Sequence, residues 1–113
     1  MLKLYHNPRC SKSREAKQLL DEKGLKYETI EYIKNPISIA ELQEIVRKLS
    51  IEPIELVRQK EAIWKENYKG KDLSDDEILE AMIEHPRLME RPIVIHNEKA
   101  IVGRPASLIL DIL

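Results

Sequence analysis

Hydrophobic and polar positions change period at definite places along the chain, and each change marks an element. Residues 2–6 alternate, with Leu2, Leu4 and His6 set against Lys3 and Tyr5, the spacing of a half-buried strand. Pro8 ends it. Over residues 11–23 the period lengthens to that of a helix whose apolar stripe is Ala16, Leu19 and Leu20, and Gly24 supplies the stop. Residues 26–32, KYETIEY, return to β-branched and aromatic types and predict a second strand. Strand, helix and strand in close succession make a βαβ unit, whose crossover is right-handed.

Helices are expected next. Asn35 and Pro36 close the second strand, and Ser38 with Glu41 spells a capping box ahead of Leu42, Ile45, Val46 and Leu49 at helical spacing. A further helix is expected from Pro53, carrying Ile54, Leu56, Val57 and Arg58. After a loop over residues 69–73, a second box at Ser74 and Glu77 opens a third, with Ile78, Leu79, Met82 and Ile83 on its buried side. Pro86 and Pro92 bracket a turn segment leading into two short β-rich runs around His96, Asn97 and Glu98, which reads as a hairpin. The final stretch, opened by Arg104 and Pro105, predicts a helix with Leu108, Ile109 and Ile112 on its face. The order β-α-β, helical insert over about 38–86, β-β-α predicts an α/β fold. Its form is a thioredoxin-like four-stranded mixed sheet in a single domain spanning residues 1–113.

Composition narrows the function more than the fold. Charged residues make up 35% of the 113, yet the formal net charge is -1, so there is neither an overall basic footprint for nucleic acid nor an acidic tail. The N-terminus lacks the apolar core of a signal peptide, and no run reaches the length of a membrane span. A cytoplasmic monomer without nucleic-acid or membrane partners is expected. One cysteine cannot close an internal disulfide, and His6, His85 and His96 are too scattered for zinc-ligand spacing, so no bound metal or cofactor is expected.

That cysteine is the candidate for chemistry. A lone cysteine is more often a small buried hydrophobe. Cys10, however, stands where the first strand ends and the first helix begins, with His6, Arg9, Lys12 and Arg14 close in sequence. Unpaired N–H groups and the macrodipole favour an anion there. Lowering a thiol pKa from about 8.5 to about 6.5 raises the thiolate fraction at neutral pH from about 3% to roughly 75%. Nucleophilicity falls with pKa, so this roughly 25-fold rise leaves roughly 3-fold in rate. The larger contribution must come from groups that hold the electrophile, worth about 10²–10³ per donor.

Four segments carry a resemblance: YHNPRCSKSRE at 5–15, LVRQKE at 56–61, HPRLMERPIVI at 85–95 and VGRPASLILDIL at 102–113. In order and spacing they resemble the glutaredoxin-dependent arsenate reductases, over nearly the whole chain. The resemblance implies that Cys10 is the nucleophile toward arsenic, that His6 sits close to the thiol and helps to lower its pKa, that Ser13 hydrogen-bonds the sulfur, and that Arg14 adds positive charge. It implies that Arg58, Arg91 and Arg104 bind the arsenic oxyanion and that Pro92 is the cis-proline. Arsenate would be the substrate, glutathione the co-substrate and glutaredoxin the protein partner. Arg9, Ser11 and Lys12 stand where smaller uncharged residues are usual in some members, while others share the NPRCSKSR run.

Two other readings are open at this level. A redox-sensing transcriptional regulator of the same fold prefers a second cysteine three residues after the first, where this chain has Ser13. A thiol-dependent reductase of glutathione mixed disulfides or other small electrophiles would use much the same residues.

Overall fold

Strand β1 (Leu2–Tyr5) is the second of four strands in a mixed sheet ordered β2-β1-β3-β4. The computed structural model describes residues 2–113. After β1, helix α1 (Ser11–Glu22) leads to β2 (Glu28–Ile30), which returns parallel to β1, with Lys3 opposite Glu28 and Tyr5 opposite Ile30. Strand β3 (Ile93–His96) runs antiparallel to β1, with Tyr5 opposite Ile93. It turns through Asn97 and Glu98 into β4 (Lys99–Val102), and Asn97 takes the left-handed backbone, φ 57°, that asparagine tolerates at low cost. This is the mixed thioredoxin-like sheet that the element order predicts.

Alternation decides what the sheet buries. Leu2 and Leu4 of β1, Val94 of β3, Ala16 and Leu20 of α1, and Ile109 and Ile112 near the C-terminus form one buried cluster. Tyr5, Ile93 and Ile95, on the other face, are buried as well. Helix α1 ends where Gly24 adopts φ 67°. There the Gly24 N–H bonds the Asp21 carbonyl and the Leu25 N–H bonds that of Leu20, the paired bonds that satisfy a helix's last carbonyls.

The chain divides into two compact units, one made of Met1–Asn35 and Arg91–Leu113, the other of Pro36–Glu90. The second holds α2 (Ile39–Leu49), α3 (Ala62–Asn67) and α4 (Asp75–Glu84), with 3₁₀ turns at Pro53–Leu56 and Pro86–Leu88. Ser38 Oγ accepts the Glu41 N–H, and Ser74 exchanges bonds with Glu77 in a full capping box. Leu42, Ile45, Val46, Ile78, Leu79 and Met82 are buried, while Ile83 is only half-buried and Ala81 takes a buried place.

Three elements differ from the sequence reading, each because a longer-range contact wins over local propensity. The helix expected from Pro53 is a single 3₁₀ turn, because Val57 leaves it for a bridge with Met89 and the Arg58 N–H goes to the Leu88 carbonyl. Strand β2 is shorter than residues 26–32, because β1 offers it partners only from Lys3 to Tyr5. The last helix is 3₁₀ over Ala106–Ile112, with Ile109 and Ile112 buried one 3₁₀ turn apart and Leu108 half-buried. Helix α3 carries no cap side-chain bond, and that is why no sequence signal announces it.

Candidate active site

The sheet topology gathers the site at one end. The carboxyl end of β1, the start of β3 and the end of β4 coincide there, because Tyr5 pairs Ile93 and Ile93 pairs Val102. Cys10 follows β1, Arg91 precedes β3 and Arg104 follows β4, so all three leave the sheet at this edge. The Gly103 N–H bonds the Pro92 carbonyl at 2.9 Å and carries the ladder one step further. The Arg91–Pro92 and Arg104–Pro105 peptide bonds are both cis.

Between β1 and α1 the chain makes a tight turn. Asn7 opens it and Pro8 fills the second place, and the Cys10 N–H closes it on the Asn7 carbonyl at 3.0 Å. Asn7 Oδ1 accepts the Arg9 N–H and Arg14 Nη1 donates to the Pro8 carbonyl. Cys10 then stands as the N-cap of α1 with extended backbone, φ -96°, ψ 123°, although its sulfur makes no close cap bond of the kind an oxygen makes. It is partly accessible, not walled into the core.

Burial pushes the Cys10 thiol up. The N–H of Ser13, the charge of Arg91, the N–H of Lys12 and a hydrogen bond from Arg91 act the other way and leave it below its ordinary value. The helix N-terminus and one arginine therefore account for the activation. Arg91 is half-buried, and its Nε and Nη1 atoms are shielded from solvent without a hydrogen-bond partner. Buried donors left unbonded cost free energy, so two such donors on a guanidinium beside a thiolate mark a place for an anion's oxygens.

The other expected residues fall as follows. Ser13 is fully buried and faces the sulfur with its backbone N–H; its hydroxyl lies 2.6 Å from His6 Nδ1 and accepts the Asn7 N–H at 2.9 Å. His6 is also buried, and burial, followed by the charges of Lys17 and Arg14, holds its imidazole below the usual histidine range. A ring kept neutral supplies no cation to the thiolate. Arg14 is exposed and braces the turn through Pro8, so its service is to the loop. Arg104 is exposed and makes no ion pair among the described residues. Arg58 belongs to the Pro36–Glu90 unit, where its Nη1 donates to the Arg87 carbonyl at 3.1 Å and its Nη2 lies 3.4 Å from Glu61. Sequence reasoning missed Asn7 and the Lys12 N–H; an Asn-Pro pair before a lone cysteine was the available signal.

Among the described residues no three His, Cys, Asp or Glu side chains are grouped to hold a metal, and no helix is long and apolar enough to cross a membrane.

Comparison with known proteins agrees in kind. The model of the ArsC family matches residues 5–112. The uncharacterized protein YfgD of Escherichia coli is 45% identical, over 98% of this chain and 95% of its own length. An arsenate reductase of Haemophilus influenzae is 44% identical, over 97% of each chain. Among solved structures, the arsenate reductase from Vibrio cholerae superposes with a TM-score of 0.95 at 43% identity, covering 99% of this chain and 97% of that one.

Proposed function

The chain belongs to the ArsC family, and from that premise we propose that it is an arsenate reductase in which Cys10 is the nucleophile and Arg91 the principal anion-binding group. The observation that carries the reading is the pairing of a depressed thiol with a guanidinium whose buried Nε and Nη1 lack partners.

Arsenate is a tetrahedral oxyanion, and a thiolate approaching it meets like charge. Two parallel donors on a planar guanidinium that cannot deprotonate neutralise it better than a lysine. The Cys10 sulfur then displaces one arsenate oxygen as water, forming a sulfur–arsenic bond. Glutathione, as co-substrate, displaces a second oxygen in the same way. A glutaredoxin thiol attacks the glutathione sulfur; a disulfide forms, the electron pair stays on arsenic, and hydrolysis releases arsenite and the Cys10 thiol. Arsenic gains two electrons and two external thiols lose them. One cysteine in 113 residues supports this external route, since the chain has no second thiol to form the disulfide with. Arg104, which leaves the sheet at the same edge as Arg91, completes the oxyanion site in this reading.

The test is arsenate-dependent NADPH oxidation in the presence of glutathione, glutaredoxin and glutathione reductase. Wild-type protein turns over and Cys10→Ser does not. Arsenate-independent turnover of a glutathione mixed disulfide, with none on arsenate, would replace this reading with disulfide reduction.

A further inference from the structure

The Ser13 hydroxyl is buried at this edge, and its bonds do not go to the sulfur. It has one proton and two lone pairs. One lone pair takes the Asn7 N–H at 2.9 Å, and the other contact is His6 Nδ1 at 2.6 Å. Asn7 opens the turn whose closing bond is made by the Cys10 N–H. His6 is anchored in turn, since its own N–H bonds the Ile30 carbonyl of β2 at 2.8 Å. A continuous path therefore runs from the sheet through the imidazole and the hydroxyl to the backbone of the thiol turn.

We propose that Ser13 and His6 are positioning residues: the hydroxyl, oriented by His6 Nδ1, latches the Asn7 end of the turn and so keeps the Cys10 sulfur over the first N–H groups of α1. The hydroxyl proton points to Nδ1, and Nε2 carries the ring proton. Charged groups facing the ring are Lys17 and Arg14 of α1 and Glu31 beyond β2; the two cations and burial outweigh the carboxylate, which suits a neutral acceptor. Imidazole charge has no part in the latch. Any side chain offering an acceptor at the Nδ1 position serves, and asparagine, whose amide falls near that position, is the discriminating replacement.

The inference concerns the thiol whatever electrophile it meets, so its test uses none of the proposed substrates. In wild type, His6→Asn, His6→Ala, Ser13→Ala and the double alanine variant, two quantities are measured: the pH midpoint of iodoacetamide alkylation at Cys10 and the hydrogen exchange of the Asn7 amide. His6→Asn should keep both. His6→Ala and Ser13→Ala should each speed Asn7 exchange about tenfold and raise the midpoint by roughly half a pH unit, with the double variant no worse than either. Three results overturn the proposal: His6→Asn behaving as His6→Ala; Ser13→Ala moving the midpoint while Asn7 stays protected, which would mean the hydroxyl serves the sulfur directly; or neither alanine variant changing Asn7. Should Ser13→Ala fail to fold, the comparison of His6→Asn with His6→Ala decides alone.

Discussion

The positive charge of Arg91 helps to hold the Cys10 thiol below its ordinary value, while the Nε and Nη1 of the same side chain remain buried and unbonded. An arginine kept for stability would be expected to have those donors satisfied. Replacing Arg91 by Ala should therefore lower kcat by about 10²–10³ with no loss of Tm, because it removes donors whose burial costs about 1–3 kcal/mol. Arg91→Lys should recover little, since a single ammonium cannot present two parallel donors. Coupled assay and calorimetry on the same samples check this; an activity loss that tracks unfolding would make Arg91 structural.

Stability should depend on the state of Cys10. Its folded pKa is lowered, so the unfolded chain holds this proton more tightly. The contribution is fully present above the unfolded value of about 8.5 and is lost as pH falls through the folded value. Subtracting the Cys10→Ser denaturation curve from that of wild type across this window should give a difference that grows with pH. A flat difference would show the thiol to be unperturbed.

His6 works in the same direction for another reason. Burial, then Lys17, lowers its folded pKa, so folding excludes a proton that the unfolded chain accepts. Stability from this group is complete above about 6.5 and declines as pH falls from there toward the folded value. Urea midpoints between pH 7.5 and 5 should fall in wild type and fall less in His6→Asn. Equal slopes in the two would mean another group carries the acid sensitivity.

These groups differ in how far the sequence reveals them. Cys10 at a strand-to-helix junction, the Ser38 cap and the box at Ser74 are local arrangements, spelled within a few residues, and the fold contains them. The pairings of β1 with β2 and of β3 with β4 also follow from local periods, whereas β1 and β3 pair although the helical insert separates them in sequence. What Ser13 bonds is not local. Its hydroxyl meets a ring seven positions away, and only the turn between them decides that the backbone, not the hydroxyl, faces the sulfur. Nor does a sequence distinguish Arg14, turned back onto Pro8, from Arg91, whose donors are buried and unspent. Charge near a cysteine is legible; direction is not.

Gly103 offers the sharpest test of how the C-terminal segment is seated. Its φ is not in the left-handed region, so backbone freedom is not what requires glycine. Space is: a Cβ there would lie 3.0 Å from both Cγ1 and Cδ1 of Ile109 and 3.4 Å from Pro92 Cγ. Ile109 has no exposed surface and belongs to the cluster with Leu4, Leu20 and Val94, and its Cγ1 is held close to the backbone, so the segment itself must shift. Gly103→Ala should cost about 1–3 kcal/mol and lower Tm by roughly 4 °C or more for each kcal/mol. Trimming the opposing side chain removes part of the clash, so Ile109→Val, destabilising by itself, should recover stability in the Gly103→Ala background. Because Arg104 follows directly, the alanine variant should also raise KM for an anionic substrate while leaving the alkylation midpoint of Cys10 unchanged. Strictly additive Tm changes in the double variant would locate the strain elsewhere than against Ile109.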